Sequence, residues 1–425
     1  MTAEVSGKPE RAEGRLPEGE ELQQNVATRR TIGKIWHGVF AAATVFGIIV
    51  LVILLLTIID EAFGVIGVQP RIDPATIADG RPIEELSESQ LIDVIEANVN
   101  DRVIRSLERS GPLAERSPNE LREIIEEEIL NIEVVESWPL HMALFNRGEL
   151  QQTIAEEYEQ AELRFHSWVN WEFLTKSMSG VPANSGIRTA LLGSLWVILV
   201  TFVVAVPLGI GASIYLEEYA RDNWINRIIQ TNINNLAGVP SIIYGILGLA
   251  VFVRVLAPIT SGAFLAPGEV ASPNGRTIVS AGITLALLIL PIIIISGQEA
   301  IRAVPNSLRQ ASYGLGATQW QTIWNHVLPN AIPGILTGTI LAMSRALGET
   351  APLIVVGAAT FLPRNPEGPF SSFTALPIVI YNWTARPQDQ YRDIAAAGII
   401  VLLVVLLSMN ATAILLRNRF SKKMG

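Results

Sequence analysis

Arg345 and Glu349 stand inside an apolar stretch, from Pro333 to about Leu362, that is long enough to cross a bilayer. A charged side chain at that depth costs at least about 2.5 to 3.5 kcal/mol unless a polar path or a partner charge receives it. Two chemistries would meet the need. The planar guanidinium can donate two parallel hydrogen bonds to phosphate or another tetrahedral oxyanion, which makes Arg345 a candidate substrate ligand. Glu349, four residues on, lies one helical turn along the same face and can instead neutralise it, giving a path for a neutral solute or a static helix contact. Because a carboxylate repels anions, an anion route requires Glu349 to orient the arginine or to pair with another subunit. Thr350 follows directly and is grouped with them as a pathway residue.

A second candidate lies between two apolar runs, from Glu299 to Pro333. It reads Arg309-Gln310-Ala311-Ser312-Tyr313-Gly314-Leu315-Gly316, continues through Trp320 and Trp324, and ends Val327-Leu328-Pro329. Polar residues with embedded apolar ones predict short surface helices, with the glycines marking a break and the prolines the return to the membrane. Such a helix could plug into a partner.

Other chemistries have no foothold. There is no G-x-x-x-x-G-K-[ST] loop to cradle a nucleotide phosphate, no G-x-S-x-G elbow and no H-E-x-x-H helix. Energy, if used, comes from a partner chain. The chain holds no cysteine, and its histidines, His37, His141, His166 and His326, are scattered without metal-ligand spacing, so no cofactor or metal is expected. A net charge of −9 argues against nucleic acid as a partner.

The elements that must position these residues follow from hydropathy. At 425 residues, 49% hydrophobic and with a mean hydropathy of +0.37, the chain alternates charge-free runs with strongly charged stretches, the pattern of a protein solvated partly by lipid. Apolar runs over Ile35–Ile59, Arg188–Glu217, Arg227–Arg254, Arg276–Glu299, Pro333–Leu362 and Asp393–Arg417 predict six transmembrane helices. The first is too long for a signal-peptide core and reads as a retained anchor. Basic residues precede the first run (Arg29, Arg30, Lys34) and follow the last (Arg417, Arg419, Lys422, Lys423), which predicts that both termini are cytoplasmic.

The expected organisation is a disordered tail over 1–30, the first helix over 31–59, an outer insertion over 60–185, a core of five helices over 186–417 containing the 299–332 loop, and a basic tail over 418–425. The insertion carries 25 acidic and 10 basic residues, unusual beside a cytoplasmic membrane face. Ser117-Pro118-Asn119-Glu120 reads as an N-cap serine, a first-turn proline and a capping glutamate that open a helix. Leu121, Ile124, Ile125, Ile129, Leu130 and Ile132 follow at near-helical spacing. A second amphipathic helix is predicted within Glu84–Glu108, where Leu91, Ile92, Val94, Ile95, Val99, Val103, Ile104 and Leu107 recur. The two predict a helical hairpin or bundle that packs its own apolar stripe.

The 299–332 loop resembles the cytoplasmic loop of binding-protein-dependent ABC importer permeases, whose pattern is E-A-A, three residues, G, nine residues, I-x-L-P. Gln310, Ala311, Ser312, Gly316, Leu328 and Pro329 fall in that register, with Gln310 in place of the glutamate, Ser312 of the second alanine and His326 of the isoleucine. The glutamine lacks a charge that could pair with a basic residue on an ATPase. Gly348-Glu349-Thr350-Ala351-Pro352-Leu353, Trp171-Glu172-Phe173-Leu174, Ile214-Tyr215-Leu216-Glu217-Glu218-Tyr219 and Ala375-Leu376-Pro377-Ile378-Val379-Ile380-Tyr381 are similar to PstA-type permeases of phosphate ABC importers. The similarity runs from about Trp168 to Arg417 with part of the first helix; the insertion over Asp60–Phe165 is longer than the family's usual form.

The resemblance implies an all-α, MetI-like permease fold in a bacterial inner membrane, with the insertion periplasmic and helical. It implies a non-catalytic subunit that imports inorganic phosphate with a second, PstC-type permease, a PstB-type ATPase dimer and a PstS-type periplasmic phosphate-binding protein. Arg309, Gln310, Ala311, Ser312, Gly314, Gly316, Leu328 and Pro329 would form the ATPase-coupling loop. Permeases for sulfate or molybdate share that loop, and a membrane-anchored receptor with an outer helical region is the reading from a different class.

Overall fold

The charge-free runs become helices because a backbone in hydrocarbon must satisfy its hydrogen bonds internally. A computed structural model describes residues 19–72, 74–77, 83, 86–100, 103–104, 112–125, 129–130, 133–158, 161–264 and 274–422. Among them, five helices are long and apolar enough to cross a membrane, or six when one sharply bent pair counts as a single span. The chain divides at Thr57–Ile58 into two units.

The first unit is formed by helix α1 (Glu20–Ala62), which runs on past the division. Residues 20–30, expected to be disordered, continue this helix; neither glycine nor proline interrupts them, and the Thr28 and Thr31 hydroxyls bond carbonyls one turn back. Residues 1–18 of that expected tail lie outside the described residues.

The second unit opens with an element that hydropathy did not foresee. Strands β1 (Phe63–Gln69), β2 (Glu133–Pro139) and β3 (Glu162–Ser167) form an antiparallel sheet in the order β2-β1-β3, so the insertion is not purely helical. Val65 sits opposite Trp138 on one side and Phe165 on the other, and β1 is buried along most of its length. Its valines and isoleucine suit a pleated surface covered on both faces.

The two helices read from the insertion are present but shorter. Helix α2 is Glu88–Asn98 and α3 is Pro118–Ile124; residues 105–111, the end of the longer expected helix, lie outside the described residues. Leu91, Ile95, Leu121 and Ile125 are fully buried and pack with Ile129 and Leu130 in a core of the insertion's own. The capping box is as expected: the Ser117 amide donates to Glu120 Oε2 at 2.8 Å, and the Glu120 amide donates to Ser117 Oγ at 3.4 Å. Replacing Ser117 with alanine should therefore cost about 1 kcal/mol locally, read as faster hydrogen exchange in the first turn of α3 in the full chain; unchanged exchange there would rule out the cap.

The insertion is tied to the spans by polar contacts. Gln390 Nε2 donates to the Val134 carbonyl at 2.8 Å, Arg392 pairs with Glu61 at 3.1 Å, and both the ring and the amide of His141 meet the Asp60 carboxylate at 2.7 Å.

The membrane core is organised about helix α7 (Ile278–Arg302), which packs between α4 (Arg188–Ile214) and α9 (Leu328–Gly348). Interhelical polar contacts supply cohesion where lipid offers no hydrophobic drive. Thr201 Oγ1 donates to the Gly282 carbonyl at 3.1 Å, and Ser344 Oγ to Asn410 Oδ1 at 2.6 Å. Asn410 belongs to the last span, α11 (Asp389–Lys422), which is helical through 418–422; 423–425 lie outside the described residues.

The third expected span is not one helix. It is α5 (Trp224–Ala237) and α6 (Ser241–Gly248), meeting at 106° across Gly238-Val239-Pro240. Pro240 has no amide to donate to the Leu236 carbonyl, its helical partner four residues back. That carbonyl accepts instead from the Val239 amide at 3.1 Å and from the Tyr244 hydroxyl at 2.8 Å. Across the bend, Gly245 lies against the backbone of Pro352, where a Cβ would come within 2.7 Å of its Cα, so only glycine allows this approach.

Candidate functional site

Arg345 occupies the last turn of α9 and Glu349 its C-cap. The helix stops at Gly348; Glu349 is extended (φ −77°, ψ 116°), and a short helix, α10 (Ala351–Val356), starts after Thr350. Glu349 is therefore not on the same continuous helix, as its spacing predicted, but it still reaches back. Arg345 Nε donates to Glu349 Oε1 at 3.1 Å, with the arginine side chain 42% exposed and the glutamate 19%. Pro352 in the following turn cannot continue α9's hydrogen-bond ladder, which accounts for the break.

The consequence is chemical. One edge of the guanidinium is occupied through Nε, while among the described residues neither Nη group makes a hydrogen bond. A pair that served only to cancel charge would do so best through two parallel bonds. Here Glu349 fixes the plane of the guanidinium and the Nη edge remains open to solvent. The Thr350 side-chain hydroxyl likewise has no partner among the described residues, and no group of three or more metal-ligating acid or histidine side chains occurs among them.

The second candidate site lies at the other end of α9, roughly 25 Å from Arg345 at 1.5 Å per residue. Helix α8 (Asn306–Gly314) is followed by Gly316 at φ 81°, a single turn over Gln319–Thr322 and wide π-turns over Ile323–Val327 that lead into α9. Gln310, Ala311, Gly314 and Gly316 are exposed; Leu328 and Pro329 are half-buried where the chain re-enters the helix. Leu315 is 91% exposed, and Trp320 stacks on Trp324 with ring centroids 5.5 Å apart, both facing outward. Leu315, Trp320 and Trp324 thus form an exposed apolar edge of the loop.

Arg309 and Ser312 do a different job from their neighbours. Ser312 Oγ bonds the Thr322 hydroxyl at 2.8 Å in the interior of the loop. Arg309 pairs with Glu218 at 2.7 Å, with side chains only 14% and 7% exposed, and donates to the carbonyls of Ile301 at 2.9 Å and Val304 at 2.7 Å. It thus closes the C-terminal end of α7, where a cation is also favoured by the helix dipole. Glu217 holds Arg302 in a two-point contact at 3.0 and 2.8 Å. Both glutamates lie on a π-helical stretch, Tyr215–Tyr219, that continues α4. Sequence reasoning assigned them no role: their partners are 85 and 91 residues away, and the only local signal was a pair of adjacent carboxylates at a span end.

Comparison with known proteins decides the family. The profile of the binding-protein-dependent transport system inner membrane component matches residues 205–425, about half of the chain, and includes both candidate sites. The chain belongs to this family. A probable ABC transporter permease from Bacillus subtilis, YqgI, is 32% identical over 271 residues, 61% of this chain and 86% of its own length. The Yersinia pestis phosphate transport system permease protein PstA is 30% identical over 60% of this chain and 84% of its own. The Xylella fastidiosa phosphate transport system permease protein PstC is 32% identical over 60% and 80%. The permease is accordingly a multi-pass inner-membrane subunit, and the expected family resemblance is confirmed.

Proposed function

We propose that this permease forms, with a second permease of PstC type, the path by which inorganic phosphate is imported, and that Arg345 is the ligand the anion meets within the membrane. The open Nη edge of Arg345 carries the reading: a guanidinium oriented through Nε by Glu349 presents the two-point donor edge that a tetrahedral oxyanion accepts. The naming of relatives as PstA and PstC phosphate permeases supports phosphate as the substrate.

A PstB-type ATPase dimer docks on the Leu315, Trp320 and Trp324 edge from the cytoplasm, and a PstS-type phosphate-binding protein delivers substrate from the periplasm. Both termini are then cytoplasmic and the 60–185 insertion periplasmic. Closure of the ATPase dimer pushes the 307–324 segment, and α9, joined to that segment at one end and carrying Arg345 near the other, transmits the movement. The test is uptake of radiolabelled phosphate by liposomes holding the complete importer, with sulfate and molybdate as competitors. Phosphate alone should compete at micromolar excess; stronger competition by sulfate or molybdate would reassign the substrate.

A further inference from the structure

With the orientation proposed above, the outer ends of the spans carry more arginine than membrane proteins usually place there. Arg188, Arg254, Arg276 and Arg364 are all exposed at that end. Among the described residues, Arg254, Arg276 and Arg364 form neither an ion pair nor a side-chain hydrogen bond; Arg188 reaches the hydroxyl of Ser177. The carboxylate-rich insertion over 60–185 precedes them in the chain, yet none of its described acids pairs with these three.

Arg276 is the one that the backbone positions. Helix α10 begins just past Thr350 and ends at Gly357, whose φ of 106° is a left-handed conformation that side chains other than glycine rarely adopt. The Arg276 side chain lies directly over that glycine: a Cβ on Gly357 would stand 2.5 Å from Arg276 Cδ and 2.8 Å from Nε. The six residues of α10 thus separate Arg276 from the break that holds Arg345 by about 9 Å. Beside it, Gly275 rests on the Val253 carbonyl, so that Arg254 and Arg276 leave the backbone on either side of one contact.

We propose that Arg276 is a second anion ligand, outward of Arg345, from which the substrate oxyanion passes to Arg345 along the side of α10. The proposal rests on the oxyanion reading of Arg345. With α10 between them, the two guanidiniums can hold the anion in turn, and conduction requires sites weak enough to release what they capture. Gly357 is then a positioning residue, because any side chain there displaces Arg276.

The chain contains no cysteine, so Arg276→Cys gives a unique thiol in this subunit. In liposomes holding the complete importer and saturating phosphate-loaded binding protein, this variant should transport about tenfold more slowly, the loss of one charge-assisted hydrogen bond. ATP hydrolysis stimulated by the loaded binding protein should persist. A methanethiosulfonate bearing trimethylammonium should restore most of the uptake, and one bearing sulfonate should not, with wild-type importer unaffected by either. Gly357→Ala should give the same slow uptake with hydrolysis retained. The proposal is overturned if uptake is unchanged, if the two reagents act alike, or if hydrolysis falls together with uptake, which would mark Arg276 as a docking or structural residue. Should the wild-type importer carry sulfate or molybdate instead, the phosphate reading fails, while the charge pattern at position 276, read with that oxyanion, still decides this proposal.

Discussion

In the reconstituted importer, Arg345→Ala is expected to lower phosphate uptake about a hundredfold while leaving the complex assembled. The magnitude follows from two charge-assisted hydrogen bonds of about 1.5 kcal/mol each, and tenfold in an equilibrium for every 1.4 kcal/mol. Arg345→Lys should recover only part of the activity, because an ammonium keeps the charge but not the planar two-point edge. Glu349→Gln is the informative companion. The amide oxygen can still accept from Arg345 Nε, which the carboxylate now does at 3.1 Å, so orientation survives and the repulsive charge is gone. Uptake close to wild type in Glu349→Gln, with loss in Glu349→Ala, would show that orientation is what the glutamate supplies. The measurement is initial uptake rate beside the amount of ATPase that co-purifies. Unimpaired transport by Arg345→Ala would remove the role assigned to it.

Arg309→Ala is expected to destabilise the inner end of the permease by about 3 to 5 kcal/mol, the range for breaking a buried ion pair by removing one partner. Three losses coincide: Glu218 is left as an uncompensated carboxylate that is 7% exposed, and the carbonyls of Ile301 and Val304 each lose the guanidinium as a donor, Ile301 keeping the Val304 amide. Glu218→Ala should be milder, because Arg309 keeps both carbonyls and the Asn306 side chain as acceptors. Hydrogen exchange over 306–314 and the thermal midpoint of the detergent-solubilised permease measure both. If Arg309→Ala left both unchanged, the pair would be ornamental to the loop. Because α8 is held to the end of α4 through this pair, uptake per ATP hydrolysed should fall before the subunit itself unfolds.

How far these features could be read from sequence depended on the range of the interaction. The spans were legible because hydrocarbon imposes one rule on every residue of a run, and Arg345 was conspicuous because it breaks that rule. The Ser117 cap was legible because its partner is three residues away. The sheet was missed because β1 pairs with strands about 70 and 100 residues on, and short runs such as Phe63–Gln69 read equally well as loop. Pro240 stood in plain view within the third run, but its 106° bend also depends on Gly245 meeting Pro352, more than 100 residues later. The same holds over residues 299–332. Gln310, Ala311 and Gly316 are exposed, whereas Arg309 and Ser312, read from sequence alongside them, hold the loop together from inside, through Glu218 and Thr322.

The bond from the Tyr244 hydroxyl to the Leu236 carbonyl has a bearing on bioenergetics. A membrane that stores a voltage tolerates wet defects poorly, and a carbonyl that proline deprives of its helical donor at a bend can draw in a water molecule and, behind it, a chain along which protons hop. With the Val239 amide and a phenol from the next helix both donating to it, the Leu236 carbonyl at this sharp elbow needs no water, and the bend gives protons no foothold.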